Sequence, residues 1–153
     1  MTHRSRPPRG YTLAELVMVV ALIAVLASMA LPVAKFTVKR QKEAELRLAL
    51  RQIRTAIDEY KRMSDQGMIP VKIAGAGYPE ELEELVEGVE IVGQETKMRF
   101  LRRIPIDPMT RDDWVLRSYQ DEHDATSWGG ENIYDVRTSS EGVAIDGTKY
   151  ADW

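Results

Sequence analysis

Hydrophobic positions along this chain follow two different rhythms before they break up. From Leu16 to Ala34 no residue is charged, and Ser28 carries the only hydroxyl. At about 1.5 Å of rise per residue, that run makes a helix about 28 Å long. This is close to the roughly 30 Å apolar thickness of a bilayer. Further on, Leu46, Leu50, Ile53, Ile57 and Tyr60 recur at alternating spacings of four and three, with Ala49 and Ala56 beside them. Such spacing predicts an amphipathic helix whose apolar stripe packs on the protein's own head. Arg47, Arg51, Arg54, Asp58 and Arg62 lie off the stripe. Ser64-Asp65-Gln66-Gly67 is the expected stop. Pro32 interrupts the first run; it lacks a backbone donor and is expected to bend the helix.

Beyond residue 64 the pattern shortens into α+β runs. Residues 69–77 read as a glycine-containing loop. Pro79 starts a short helix with Leu82, Leu85 and Val86 inside, and Glu80, Glu81, Glu83 and Glu84 suit its positive end. Residues 96–103 read as another helical turn, and Ile104-Pro105-Ile106-Asp107-Pro108 as an extended link. Residues 114–119, 132–137 and 142–145 read as strands, with a turn at Asp146-Gly147. The expected architecture is a long N-terminal helix, membrane-spanning in its first half, packed on a small three-stranded antiparallel sheet.

Charge sharpens this picture. The 153 residues carry a net charge of −3. Nine basic and four acidic residues fall between Lys35 and Met63, against nine basic and nineteen acidic from Ser64 onward. A basic stem beside an acidic head is not a nucleic-acid signature; the stem charges form a solvated face or meet acidic surfaces of neighbouring subunits. With no cysteine, the chain has no disulfide or thiolate chemistry. It has no phosphate-cradling glycine motif, nucleophile elbow or His-Glu-x-x-His pattern, which argues against an enzyme.

The one acid in the apolar segment is Glu15. A charge at mid-membrane costs about 2.5–3.5 kcal/mol on insertion scales and is retained for function. A secretory signal peptide would use Arg4, Arg6 and Arg9 as its basic region and be cut after Ala30. Glu15 fits such an apolar region badly, and Pro32 would fall just beyond the cut. A plain single-pass anchor explains the apolar run and its basic flank. It leaves the order Gly10-Tyr11-Thr12-Leu13-Ala14-Glu15 unexplained.

That order, with Pro32 downstream, resembles the N-terminus of the type IV pilin and pseudopilin superfamily. In that family a prepilin peptidase cuts after a glycine and the new aromatic N-terminus is N-methylated. A glutamate stands fifth in the mature chain and a proline near the twenty-second place. The resemblance assigns processing to Gly10 and Tyr11, and assembly to Glu15 and Pro32. Tyr11 stands where phenylalanine is usual, and Ala14 where a larger aliphatic is usual. Tyr78-Pro79, Phe100-Leu101, residues 104–108 and the run from Ile133 to Trp153 look more loosely like the major pseudopilin of type II secretion, general secretion pathway protein G.

The resemblance implies a leader, residues 1–10, then a transmembrane and assembly helix, 11–34. A stem helix, 35–63, and a periplasmic head, 64–153, follow. It implies a single-pass inner-membrane protein that polymerises into a helical filament. Prepilin peptidase, other pseudopilins and the inner-membrane assembly platform would be its partners. An extracellular type IV pilus subunit and a membrane-anchored binding module are the alternatives. No cofactor is required, but calcium is the candidate metal. The family's calcium-loop pattern is altered here, so its ligands do not transfer. Asp112, Asp113, Asp121, Asp124 and Asp135 supply the hard oxygen donors calcium favours. Arg111, Arg117 and Arg137 are the competing means of offsetting their repulsion, with Trp114, Trp128 and Trp153 pinning the loops.

Overall fold

The computed structural model describes residues 10–71, 75–93, 96–122, 125 and 127–153, with the backbone alone at 29–32. Helix α1 runs over Leu13–Asp65. It closes in a Schellman motif: Met68 N bonds Met63 O at 3.0 Å and Gly67 N bonds Ser64 O at 2.9 Å. Gly67 has φ of 72°, a left-handed turn that glycine adopts without a Cβ penalty. The helix therefore stops at the expected tetrapeptide. The chain divides into two units, Met1–Lys39 and Arg40–Trp153.

Within the second unit the α1 stripe is the spine of the core. Leu46, Leu50, Ile53, Ile57 and Tyr60 are buried, as are Ala49, Ala56 and Met63. They pack with Ile69, Leu82, Leu85, Trp114, Ile133, Val136, Ala144 and Tyr150. Fully burying one such aliphatic side chain stabilises the fold by about 1.5–3 kcal/mol.

Helix α2 covers Leu82–Glu87. It starts after Pro79, whose carbonyl instead accepts a 2.7 Å bond from Ile133 N and joins the head's inner wall. Strands β1 (Val89–Glu90) and β2 (Lys97–Met98) pair antiparallel with Val89 opposite Met98. Strands β3 (Val115–Arg117) and β4 (Asp135–Arg137) pair antiparallel with Leu116 opposite Val136.

Two expectations need correcting. The head has two separate strand pairs among the described residues, not one three-stranded sheet. The expected third strand, 142–145, forms a single bridge, Val143 opposite Lys149, around a turn at Gly147. Its backbone groups are used within that turn: Ala144 N bonds Thr148 O, and Tyr150 N bonds Gly142 O. Residues 96–103 are not helical either. Phe100 N and Leu101 N both donate to Leu85 O at 2.9 Å, so α2 takes the bonds a helical turn would have made internally. Gly88 permits this approach. Its φ is 85°, and a Cβ there would sit 2.7 Å from Met98 O.

Candidate functional site

At the N-terminus the sequence builds a capped helix start. Thr12 Oγ1 accepts from Glu15 N at 3.3 Å, and Thr12 O accepts from Leu16 N at 3.1 Å. Thr12 is thus the N-cap and Glu15 the third helical residue, the positions of a capping box. The carboxylate also lies at the positive end of the helix dipole. Among the described residues, a Cβ added at Gly10 would meet nothing within 4 Å, so packing there does not call for glycine. Tyr11 and Leu13 are 81% and 83% exposed.

No described residue of the most apolar stretch of α1 is buried, and the helix is long and apolar enough to cross a membrane. A helix apolar on every side is stable where lipid or other helices cover it. α1 continues through Pro32. Proline has no N–H, so the carbonyl one turn earlier, at Ser28, lacks its usual donor. Ser28 Oγ and Thr37 Oγ1 flank this point and donate to Val25 O and Val33 O at 2.7 and 3.0 Å.

In the head, the described members of the five aspartates picked out as metal candidates are not grouped around one point. Asp112 and Asp113 are exposed. Asp121 Oδ2 accepts from Ser118 N at 2.7 Å and Gly129 N at 3.2 Å, closing its loop. Asp135 is bound by Arg54 on α1, with Nε to Oδ1 at 2.6 Å. Asp124 lies outside the described residues. Among the described residues no three His, Asp or Glu are grouped to hold a metal ion. Arg54, rather than Arg111, Arg117 or Arg137, neutralises Asp135, and it also donates to Val136 O and Trp153 O. The indoles do anchor loops: Trp114 Nε1 donates to Pro105 O, Trp128 to Asn132 O and Trp153 to Thr148 Oγ1.

Two carboxylates that sequence reasoning passed over are buried. Asp107 accepts from Met109 N at 2.8 Å, Thr110 Oγ1 at 3.1 Å and Thr138 Oγ1. Glu43 Oε1 accepts from Ile145 N at 2.8 Å and Tyr150 Oη at 2.9 Å, fastening the final hairpin to the stem. Glu43 precedes Leu46 by three residues, so it continues the apolar stripe by one place. An acid at that position was the available signal.

Burial first, and then the Glu43 hydrogen bond, push the Tyr150 phenol up to about 12 from its ordinary 10. A raised pKa favours the neutral form in the folded state. Its contribution is therefore complete below pH 10 and lost as pH rises through about 12. Tyr60 shifts the same way, through burial and then Glu84. Urea midpoints of detergent-solubilised protein are expected to fall between pH 10 and 12. Tyr150→Phe should flatten that fall, and an unchanged slope in the variant would refute the assignment.

Residues 5–31 match the prokaryotic N-terminal methylation motif. The motif is typical of type IV pilin-like proteins, a structural rather than an enzymatic class. It covers the capped helix start, Glu15 and most of the apolar run, and it fits membrane anchoring. No curated protein and no solved structure matches the chain.

Proposed function

We propose that this protein is a pseudopilin that polymerises from the inner membrane into a periplasmic filament of a type II secretion system and supports export of folded proteins. The observation that carries the reading is the apolar first half of α1, exposed at its described residues and headed by Glu15, which stands five residues after Gly10. Prepilin peptidase removes residues 1–10, and the Tyr11 amine is methylated. Residues 11–34 anchor the chain until neighbouring helices replace lipid. The stem and head then stand in the periplasm, where other pseudopilins and the inner-membrane platform meet them. A pilus subunit would share the same N-terminus. The head residues Tyr78-Pro79 and 104–108, and the lack of a cysteine-closed loop, favour the pseudopilin. Calcium is not needed for this role.

Maturation is directly measurable. Intact-mass analysis of membrane-extracted protein is expected to show a chain beginning at Tyr11 and carrying one added methyl group. A chain beginning at Leu31 would establish a signal peptide instead. In the assembled filament, the stretch from about Ser28 to Lys35 is expected to lose regular helix, because Pro32 already deprives it of a hydrogen bond.

A further inference from the structure

The head carries an uncompensated basic groove. It lies between α1 and residues 100–103, holds about 690 Å³, and is lined by Arg51, Thr55, Ala56, Phe100, Arg102 and Arg103 among others. Phe100, Leu101 and Arg102 also line a neighbouring hollow of about 580 Å³, where Arg99 adds a further guanidinium. The groove's wall contains one acid, Glu59, and Arg62 already binds both of its oxygens. Among the described residues, Arg51, Arg99, Arg102 and Arg103 have no ion-pair or hydrogen-bond partner for their side chains. Ala56, Phe100 and Leu101 give the groove an apolar floor. Its occupant should therefore carry carboxylates.

The same chain offers such an occupant. Asp112 and Asp113 are adjacent, exposed and without side-chain partners among the described residues. The next residue, Trp114, is buried with its indole bonded to Pro105 O, so the turn presents its two carboxylates from a fixed base. A fixed turn presents them: Asp107 takes Met109 N and Thr110 Oγ1, Arg111 N bonds Asp107 O at 2.9 Å, and Arg111 has φ of 64°. A preorganised loop loses little entropy on docking. The acids of α2 are less suitable, because Glu87 lines the second hollow itself.

We infer that the 51–59/100–103 groove receives the Asp112–Asp113 turn of a second copy of this chain. This contact rests on the filament reading above. Guanidinium groups suit paired carboxylates because their planar donors form a fork. Used head to tail, the contact leaves a free groove on one copy and a free turn on the other. Such heterologous pairing propagates into an open helical array rather than a closed dimer.

The absence of cysteine makes the test clean. Full-length Arg102→Cys and Asp113→Cys proteins with different tags are co-expressed, and membranes are oxidised mildly. Mixed disulfide dimers are expected at least tenfold above those from Arg102→Cys with Lys149→Cys. Separately, Arg102→Glu with Arg103→Glu should reduce filaments seen by negative-stain microscopy at least tenfold. Co-expression with Asp112→Lys, Asp113→Lys copies should restore them. Filaments that form without the 102–113 link overturn this contact and leave the filament reading standing. No link in the cysteine pair together with no filaments from the parent chain overturns both.

Discussion

Ile53→Ala is expected to destabilise the second unit by about 2–5 kcal/mol, the range found when a fully buried aliphatic is cut to alanine. Ile53 is 0% exposed and sits mid-stripe between Leu50 and Ile57. Removing three carbons there takes away transfer energy and leaves a cavity that α1 cannot easily close, because its backbone is committed to helical bonds. Leu48 is the internal control. It lies on the same helix but is 56% exposed, so Leu48→Ala should change stability by no more than about 0.5 kcal/mol. Urea unfolding of the detergent-solubilised proteins, followed by near-ultraviolet dichroism, measures both. Equal losses at the two positions would mean the stripe is not the core.

The contrast between these leucine and isoleucine positions also shows what the sequence reveals. The stripe is legible because a helix repeats its burial every three or four residues over a long distance, and each repeat strengthens the signal. Gly67 is legible as a stop because few residues tolerate its backbone conformation. The strands were harder. β1 and β2 are two residues long, too short for alternation to emerge, and Met98-Arg99-Phe100-Leu101 has the spacing of a helix. What decides against helix there is distant: the carbonyl of Leu85 accepts two bonds at once. The third strand failed for a related reason. Val143 and Ile145 alternate well, but the chain turns back at Gly147 and Glu43 takes the backbone N–H of Ile145.

The functional end divides along the same line. Thr12, Glu15 and the apolar run are contiguous, so their relationship is printed in the sequence. The partners of Asp135 and Tyr150 lie 81 and 107 residues away on α1. No local pattern announces them, and Arg54 could be read only as one charge on a solvated face. The basic groove has the same character. Arg51 and Arg102 come together because Phe100 and Leu101 pack against α1, a fact of tertiary structure alone.

Glu15→Ala is expected to leave the protein in the membrane fraction and to reduce filament formation at least tenfold. Two roles compete for this carboxylate. The first is local: Thr12 and Glu15 occupy the ends of a capping box, and Glu15 N already bonds Thr12 Oγ1 at 3.3 Å. The second is intermolecular. In the maturation proposed above, cleavage after Gly10 would leave Tyr11 with a cationic amine, and methylation would preserve its charge. In a bundle of apolar helices an unpaired carboxylate is penalised by several kcal/mol, and a neighbour's amine relieves that penalty. A charge-assisted hydrogen bond adds about 1.5–3 kcal/mol, enough for a ten- to hundredfold change in association. Glutamine separates the roles. It serves a capping box as glutamate does but brings no charge, so Glu15→Gln should fail in assembly nearly as badly as Glu15→Ala. Glu15→Asp keeps the charge on a shorter arm and should recover part of the yield. Filament counts from membranes with matched protein levels make the comparison. Normal filaments from Glu15→Gln would assign Glu15 to the helix cap and remove it from assembly.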